Sequence, residues 1–124
     1  MSRYLSLEEI LSFHETLIAR FGGTLGVRDQ GALESAVARP QSGYYSDTIE
    51  EAAALWESLS QNHPFLDGNK RTAVASTAVF LRINGHRLLF TDAEAYKWLI
   101  ERYETGTLKK TAIEGWLRQH VREG

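Results

Sequence analysis

The stretch from Ala73 to Ile83 constrains this chain more than any other, because Ser76, Thr77 and Arg82 are its only polar residues. Read as a helix it is apolar on nearly every side, and such a helix belongs in the middle of a bundle. The remaining sequence supplies further helices to surround it. Ser6-Leu7-Glu8-Glu9 has capping-box spacing, and Ile10, Leu11, Phe13, His14, Leu17 and Ile18 then recur at helical intervals until Gly22-Gly23. Asp29 is placed to cap a second helix, Gln30 to Arg39, ended by Pro40. Residues 41–47 read as a loop, with Tyr44 and Tyr45 as candidates for a flap beside a site. Thr48-Ile49-Glu50-Glu51 repeats the capping box before a third helix that carries Leu55, Trp56 and Leu59 and ends near Asn62. The central helix spans about Asn69 to Asn84, with Gly85 as its stop, and it is expected to be the most buried one. Arg87 to Phe90 suggests a short strand with Tyr4-Leu5 as candidate partner. Thr91-Asp92-Ala93-Glu94 opens a fifth helix to Thr105-Gly106, and a sixth covers about Leu108 to Val121. The expected class is all-α: one domain over residues 1–124, a compact bundle of about six helices with at most a small β ribbon.

Composition excludes several functions. With 14 Lys and Arg against 16 Asp and Glu the net charge is −2, so the basic excess of a general nucleic-acid binder is missing and no direct nucleic-acid binding is expected. No apolar run approaches the roughly 20 residues of a membrane span, and the first residues lack the apolar core of a signal peptide. The absence of Cys removes disulfides, thiol nucleophiles and thiolate metal sites. A cytoplasmic chain is the simplest expectation.

Chemistry concentrates in Asn62-His63-Pro64-Phe65-Leu66-Asp67-Gly68-Asn69-Lys70-Arg71, a loop that feeds directly into the central helix. A helix N-terminus offers unpaired amides and partial positive charge to an anion. Gly68 allows close backbone approach. Lys70 and Arg71 place full positive charges in a first turn, where cations ordinarily disfavour a helix, and a phosphate there makes sense of them. His63 offers a proton acceptor and Asp67 an oxygen ligand for a hard cation such as Mg²⁺. Each residue alone has an ordinary reading: a surface His, an Asp-Gly turn, an Asn cap, a solvated basic corner. Their joint occurrence before a buried helix is what points to a site. Phe65 reads as a core anchor for the loop. No Gly-x-x-x-x-Gly-Lys-Ser/Thr pattern occurs, and His14, His86 and His120 are too isolated in sequence to suggest a zinc cluster.

The run His63-Pro-Phe65-Leu-Asp67-Gly68-Asn69-Lys70-Arg71 resembles the active-site motif of the Fic/Doc family, and specifically its Doc (death-on-curing) toxin branch. Arg20-Phe21-Gly22-Gly23, Gly26 to Ala36, Ala38-Arg39-Pro40 and Phe80 to Gly85 also resemble Doc-type segments, so the likeness spans roughly residues 4 to 90. It implies a compact helical fold and transfer of part of a nucleoside triphosphate to a protein hydroxyl. Carried over by position, His63 is the general base, Asp67 the Mg²⁺ ligand, and Gly68, Asn69, Lys70 and Arg71 the phosphate cradle. The adenylylating branch ends Gly-Asn-Gly-Arg-x-x-Arg. Here Lys70 replaces the loop Gly and Val74 the second Arg, which favours the Doc reaction, transfer of the terminal phosphoryl group of ATP to a target such as elongation factor Tu. Adenylylation, and a degenerate domain that only binds a partner, are the alternatives. The family's built-in inhibitory pattern, Ser/Thr-x-x-x-Glu-Gly/Asn, is missing: Glu114-Gly115 has Lys110 at the hydroxyl position. The resemblance therefore implies an antitoxin of the Phd type acting in trans, its tail folding as a helix into a groove on the toxin.

Overall fold

The computed structural model describes residues 2–124. In chain order the elements are α1 (Leu7–Phe21), α2 (Gln30–Ala38), a 3₁₀ turn (Arg39–Gln41), α3 (Thr48–Gln61), α4 (Asn69–Ile83), β1 (His86–Leu88), α5 (Asp92–Thr105), α6 (Lys110–His120) and β2 (Val121–Glu123). The expected all-α bundle of six helices with one small ribbon is what forms.

Local chemistry explains most of the boundaries. Ser6 and Thr91 accept from the amides of Glu9 and Glu94, whose carboxylates return the bond to the cap, so both expected capping boxes are present. The third box is not. Asp47, not Thr48, caps α3 by accepting from the Glu50 amide, and the Glu50 carboxylate turns instead to the amide and hydroxyl of Ser46. Asp outranks Thr as a cap, so the helix takes the stronger acceptor one residue earlier. Helix α2 stops at Ala38, and Pro40 sits within the following 3₁₀ turn, its fixed φ suiting the start of a short helical segment.

The core is organised around α3 rather than α4. Nine residues of α3 are buried against six of α4, which corrects the expectation that α4 is the most enclosed helix. Small side chains explain it: Ala52, Ala53, Ala54, Ser58 and Ser60 let α2, α4 and α6 close on several sides of α3. Helix α4 packs between α3 and α1, burying Ala73, Phe80 and Leu81 together with Thr72, Ser76 and Thr77. Each large apolar side chain enclosed this way, such as Leu33, Leu59, Phe80 or Leu117, contributes about 1.5–3 kcal/mol. Helix α5 is peripheral and has no buried residue, but Trp98 stacks on Trp116 at a ring separation of 5.1 Å, and Trp116 meets Trp56 edge-on at 5.9 Å.

The ribbon differs from the expected one. Strand β1 pairs antiparallel with β2, Leu88 opposite Val121, and not with Tyr4-Leu5. The N-terminal segment is held instead by Asn84, whose carboxamide accepts from the Arg3 amide and donates to the Arg3 carbonyl. Val121 therefore leaves α6, which also begins two residues later than Leu108. Three residues are too few to show alternation in sequence. Among the described residues no helix is long and apolar enough to cross a membrane.

Candidate active site

The ten-residue loop closes α3 onto α4 in a conformation set by Phe65. Its ring is 1% exposed and stacks on the His14 ring at 3.8 Å, as the anchor reading expects. Asn69 then locks the turn: its carboxamide accepts from the Phe65 amide at 2.9 Å and donates to the Phe65 carbonyl at 3.0 Å. Asn69 is the first residue of α4 and Gly68 is the cap, at φ +76, where a side chain would be strained. The Asn69 side chain is thus spent on the loop, and what it presents outward is its main-chain N–H.

Helix α4 begins without a side-chain cap and with no acid in its first turn. His14 Nε2 reaches the Asp67 carbonyl at 2.7 Å, the acceptor that the amide four residues on, that of Arg71, would otherwise use. The first main-chain bond of the helix runs from Thr72 to Gly68, so the amides of Asn69, Lys70 and Arg71 have no partner among the described residues. They open on a cavity of about 490 Å³ lined by His63, Leu66 and Asp67 to Arg71. The structure therefore gathers every candidate site residue on one concave wall.

The charged groups are arranged around this wall. Asp67 is exposed, and its two oxygens accept from the amides of Gly68 at 2.8 Å and Thr24 at 3.1 Å. A Cβ at Gly23 would stand 2.7 Å from Asp67 Oδ2, and Gly23 sits at φ +118, so glycine suits the close approach of the Gly23–Thr24 backbone to the carboxylate. Each oxygen keeps a further lone pair for a cation. Mg²⁺ characteristically takes one or two carboxylates and completes its shell with phosphate and water. Asp67, exposed on the cavity wall with those lone pairs free, is a donor of that kind. Lys70 Nζ lies 4.1 Å from the Tyr103 ring centroid and Arg71 Cζ lies 4.6 Å from that of Phe21. Both cations thus rest on aromatic faces at the border of the cavity, where neither forms an ion pair with a carboxylate among the described residues.

His63 is exposed and lines the cavity, and it is the one non-glycine residue at positive φ among the described residues, at +47. It precedes Pro64, a position that favours extended backbone, so the conformation is disfavoured twice and costs on the order of 1–3 kcal/mol. A strap from residues 24–29 holds it. The Pro64 carbonyl accepts from the amides of Arg28 and Asp29, the Leu66 amide donates to Gly26, and Val27 bridges Phe65. Arg28 donates from Nε to the His63 carbonyl at 2.6 Å and from Nη2 to the Asn62 carbonyl at 2.9 Å. Sequence reasoning had no role for His14, Thr24 or Arg28. They lie 53, 43 and 35 residues from their partners, so no local pattern ties them to the loop, although Arg28 falls within the Gly26 to Ala36 segment of the resemblance. Tyr44 and Tyr45, offered as a flap, do not line this cavity: Tyr45 accepts from Arg39, which also donates to Ala54, Glu57 and Ser58 of α3, and it lines a separate cavity with Ser2, Tyr4 and Thr48.

The fold and the wall together define a class, a helical bundle that presents a loop with two cations at the open head of an inner helix, with a histidine and a carboxylate beside it. The description of the Fic/DOC family matches residues 4–81, and the chain belongs to that family. It is 46% identical over 93 residues to "Toxin Doc" of Mycolicibacterium smegmatis, covering 71% of this chain and 69% of that one. It is 31% identical over 121 residues to "Protein kinase doc" of Escherichia phage P1, covering 94% of each.

Proposed function

We propose that this chain is a Doc-like toxin that transfers the terminal phosphoryl group of ATP to a hydroxyl of a target protein, a translation factor such as elongation factor Tu. One observation carries the reading: the head of α4 is left open toward a cavity that His63, Asp67, Lys70 and Arg71 share. The names of the two relatives, a toxin and a protein kinase, support it.

The chemistry asks little covalent work of the protein, since phosphoryl transfer is driven by positioning and charge neutralisation. The amides of Asn69, Lys70 and Arg71 and the two cations receive the phosphate oxygens. An imidazole nitrogen of His63 takes the proton of the target hydroxyl, whose oxygen bonds to the terminal phosphorus as the bond to the departing ADP oxygen breaks. Asp67 is the residue that would hold Mg²⁺, which when bound neutralises phosphate charge. Val74 favours phosphoryl over adenylyl transfer, because that position carries no guanidinium to orient the α-phosphate. The deciding experiment incubates the protein with ATP, Mg²⁺ and a cell lysate and weighs the modified proteins. A phosphoryl increment that His63→Ala abolishes is expected. An adenylyl increment supports the Fic-type alternative, and no label on any protein supports a binding domain.

For an antitoxin of the Phd type we favour a second, largely apolar cavity of about 510 Å³ that shares Lys70 and Arg71 with the first and is walled by Leu17, Phe21, Val74 and Leu99, with Asp92 at its edge. An amphipathic helix with an acidic edge matches such a groove, and seated there it covers both cations. A cytoplasmic location follows from a target in translation.

A further inference from the structure

We propose that Arg28 is the positioning residue for His63, its guanidinium acting as a clamp that keeps the histidine in the left-handed conformation from which it lines the cavity. The inference rests on the reading of His63 as general base. Helix α3 ends at Gln61 with Asn62 as its cap, which puts His63 at the position where helices ordinarily place glycine in left-handed backbone. A histidine there, followed by Pro64, returns to extended backbone unless something holds it. Among the described residues Arg28 is the one side chain that binds the carbonyls of both Asn62 and His63, at 2.9 and 2.6 Å. The bonds also place a cation at the carbonyl end of α3, where the helix dipole favours it. The two contacts come from different nitrogens of one rigid fork, so they fix the orientation of the turn, whereas a lysine ammonium acts as a single point charge. Among the described residues Arg28 does not line the cavity, and its side chain makes no hydrogen bond to residues 66–71 and no ion pair with a carboxylate. Its influence on the reaction passes through the His63 backbone.

Displacement of a reacting group by about 1 Å costs on the order of 100-fold in rate. In Arg28→Ala, kcat is expected to fall roughly 10- to 100-fold, while KM for ATP stays within about two-fold because the phosphate wall belongs to α4. Arg28→Lys recovers little of the loss, and added guanidinium ion restores a measurable part of it in Arg28→Ala but not in Arg28→Lys. A second readout needs no activity. The melting temperature is measured for Arg28→Ala in the natural background and in His63→Gly, where left-handed backbone carries no strain. The loss is expected to be larger in the glycine background, because in the natural background the His63 backbone relaxes once the guanidinium is gone and recovers part of its strain. An Arg28→Ala enzyme within two-fold of the natural kcat, or equal melting losses in both backgrounds, overturns the clamp. If the natural protein transfers nothing from ATP, the function proposed above fails instead, and the melting comparison alone decides Arg28.

Discussion

Helices α5 and α4 start in opposite ways. At the head of α5 Thr91 and Glu94 exchange bonds across the first turn, and Asp92 adds a second negative charge, so the dipole and the free amides are both answered by the helix itself. Helices α1, α2 and α3 follow the same rule with Ser6, Asp29 and Asp47, and α6 borrows Glu57, which accepts from the Lys110 amide at 2.6 Å. The head of α4 has a glycine cap, no acid, and Lys70 with Arg71. By the accounting of an isolated helix it is the worst terminus in the protein. Its geometry is secured from outside, through Asn69 on Phe65, His14 on Asp67 and the Thr24–Arg28 strap. A terminus that the fold goes to such lengths to fix, yet leaves unsatisfied, is where the proposed function puts the negative charge of a nucleotide.

The largest expected effect falls on the loop. His63→Ala lowers phosphoryl transfer by about 10²–10⁴-fold, read from initial rates with ATP and Mg²⁺. Its melting temperature does not fall, because the exposed ring makes no hydrogen bond among the described residues. Next comes Asp67→Asn, expected to lose on the order of 10²-fold in kcat and to shift the Mg²⁺ requirement upward in a metal titration. Lys70→Glu separates binding from folding. A full acid in the first turn gains about 0.3–1 kcal/mol of helix stability, and loss of the contact with Tyr103 gives back about 0.5–1. The melting temperature is therefore almost unmoved, while ATP binding by calorimetry weakens at least about 10-fold. Thr91→Ala is the mirror image at α5, costing about 1 kcal/mol in denaturant titration with transfer unchanged. Were Thr91→Ala to abolish transfer, or Lys70→Glu to leave it intact, the contrast between the two heads would lose its functional meaning.

The smallest effect concerns pH at the far end of α3. Bonds from the Ser46 amide, Lys110 and the Ser46 hydroxyl hold the Glu50 carboxyl down at about 2, from an ordinary 4.5. The Arg118 side chain likewise holds Asp47 below the usual carboxylate range. A depressed carboxyl stabilises the fold above its unfolded value and loses that contribution as pH falls toward the folded one. The melting temperature should thus decline between about pH 4.5 and pH 2, and Glu50→Gln should flatten that decline. A slope unchanged by Glu50→Gln would show that the pair adds nothing.

Local patterns made the helices legible: caps at Ser6, Asp29 and Thr91, stops at Gly22 and Gly106, and the apolar run after Asn69 act within a few residues of themselves. The site motif was legible for the same reason, since His63 to Arg71 is one continuous segment. What sequence could not rank was α3 against α4. Small residues such as Ala53 and Ser60 look unremarkable in a line, and become the centre only when several elements close on them.

The amino-acid order by itself determined six helices, one loop rich in chemistry, and the mismatch of cations with the head they occupy. Tertiary structure alone decided which strand β1 joins, that Tyr45 sits away from the cavity, and how His14, Thr24 and Arg28 brace the loop. The reason is range: caps and helical periodicity are energies between neighbours along the chain. The contacts that hold His63 and Asp67 in place join residues 35 to 53 positions apart, and they exist only after the bundle has closed.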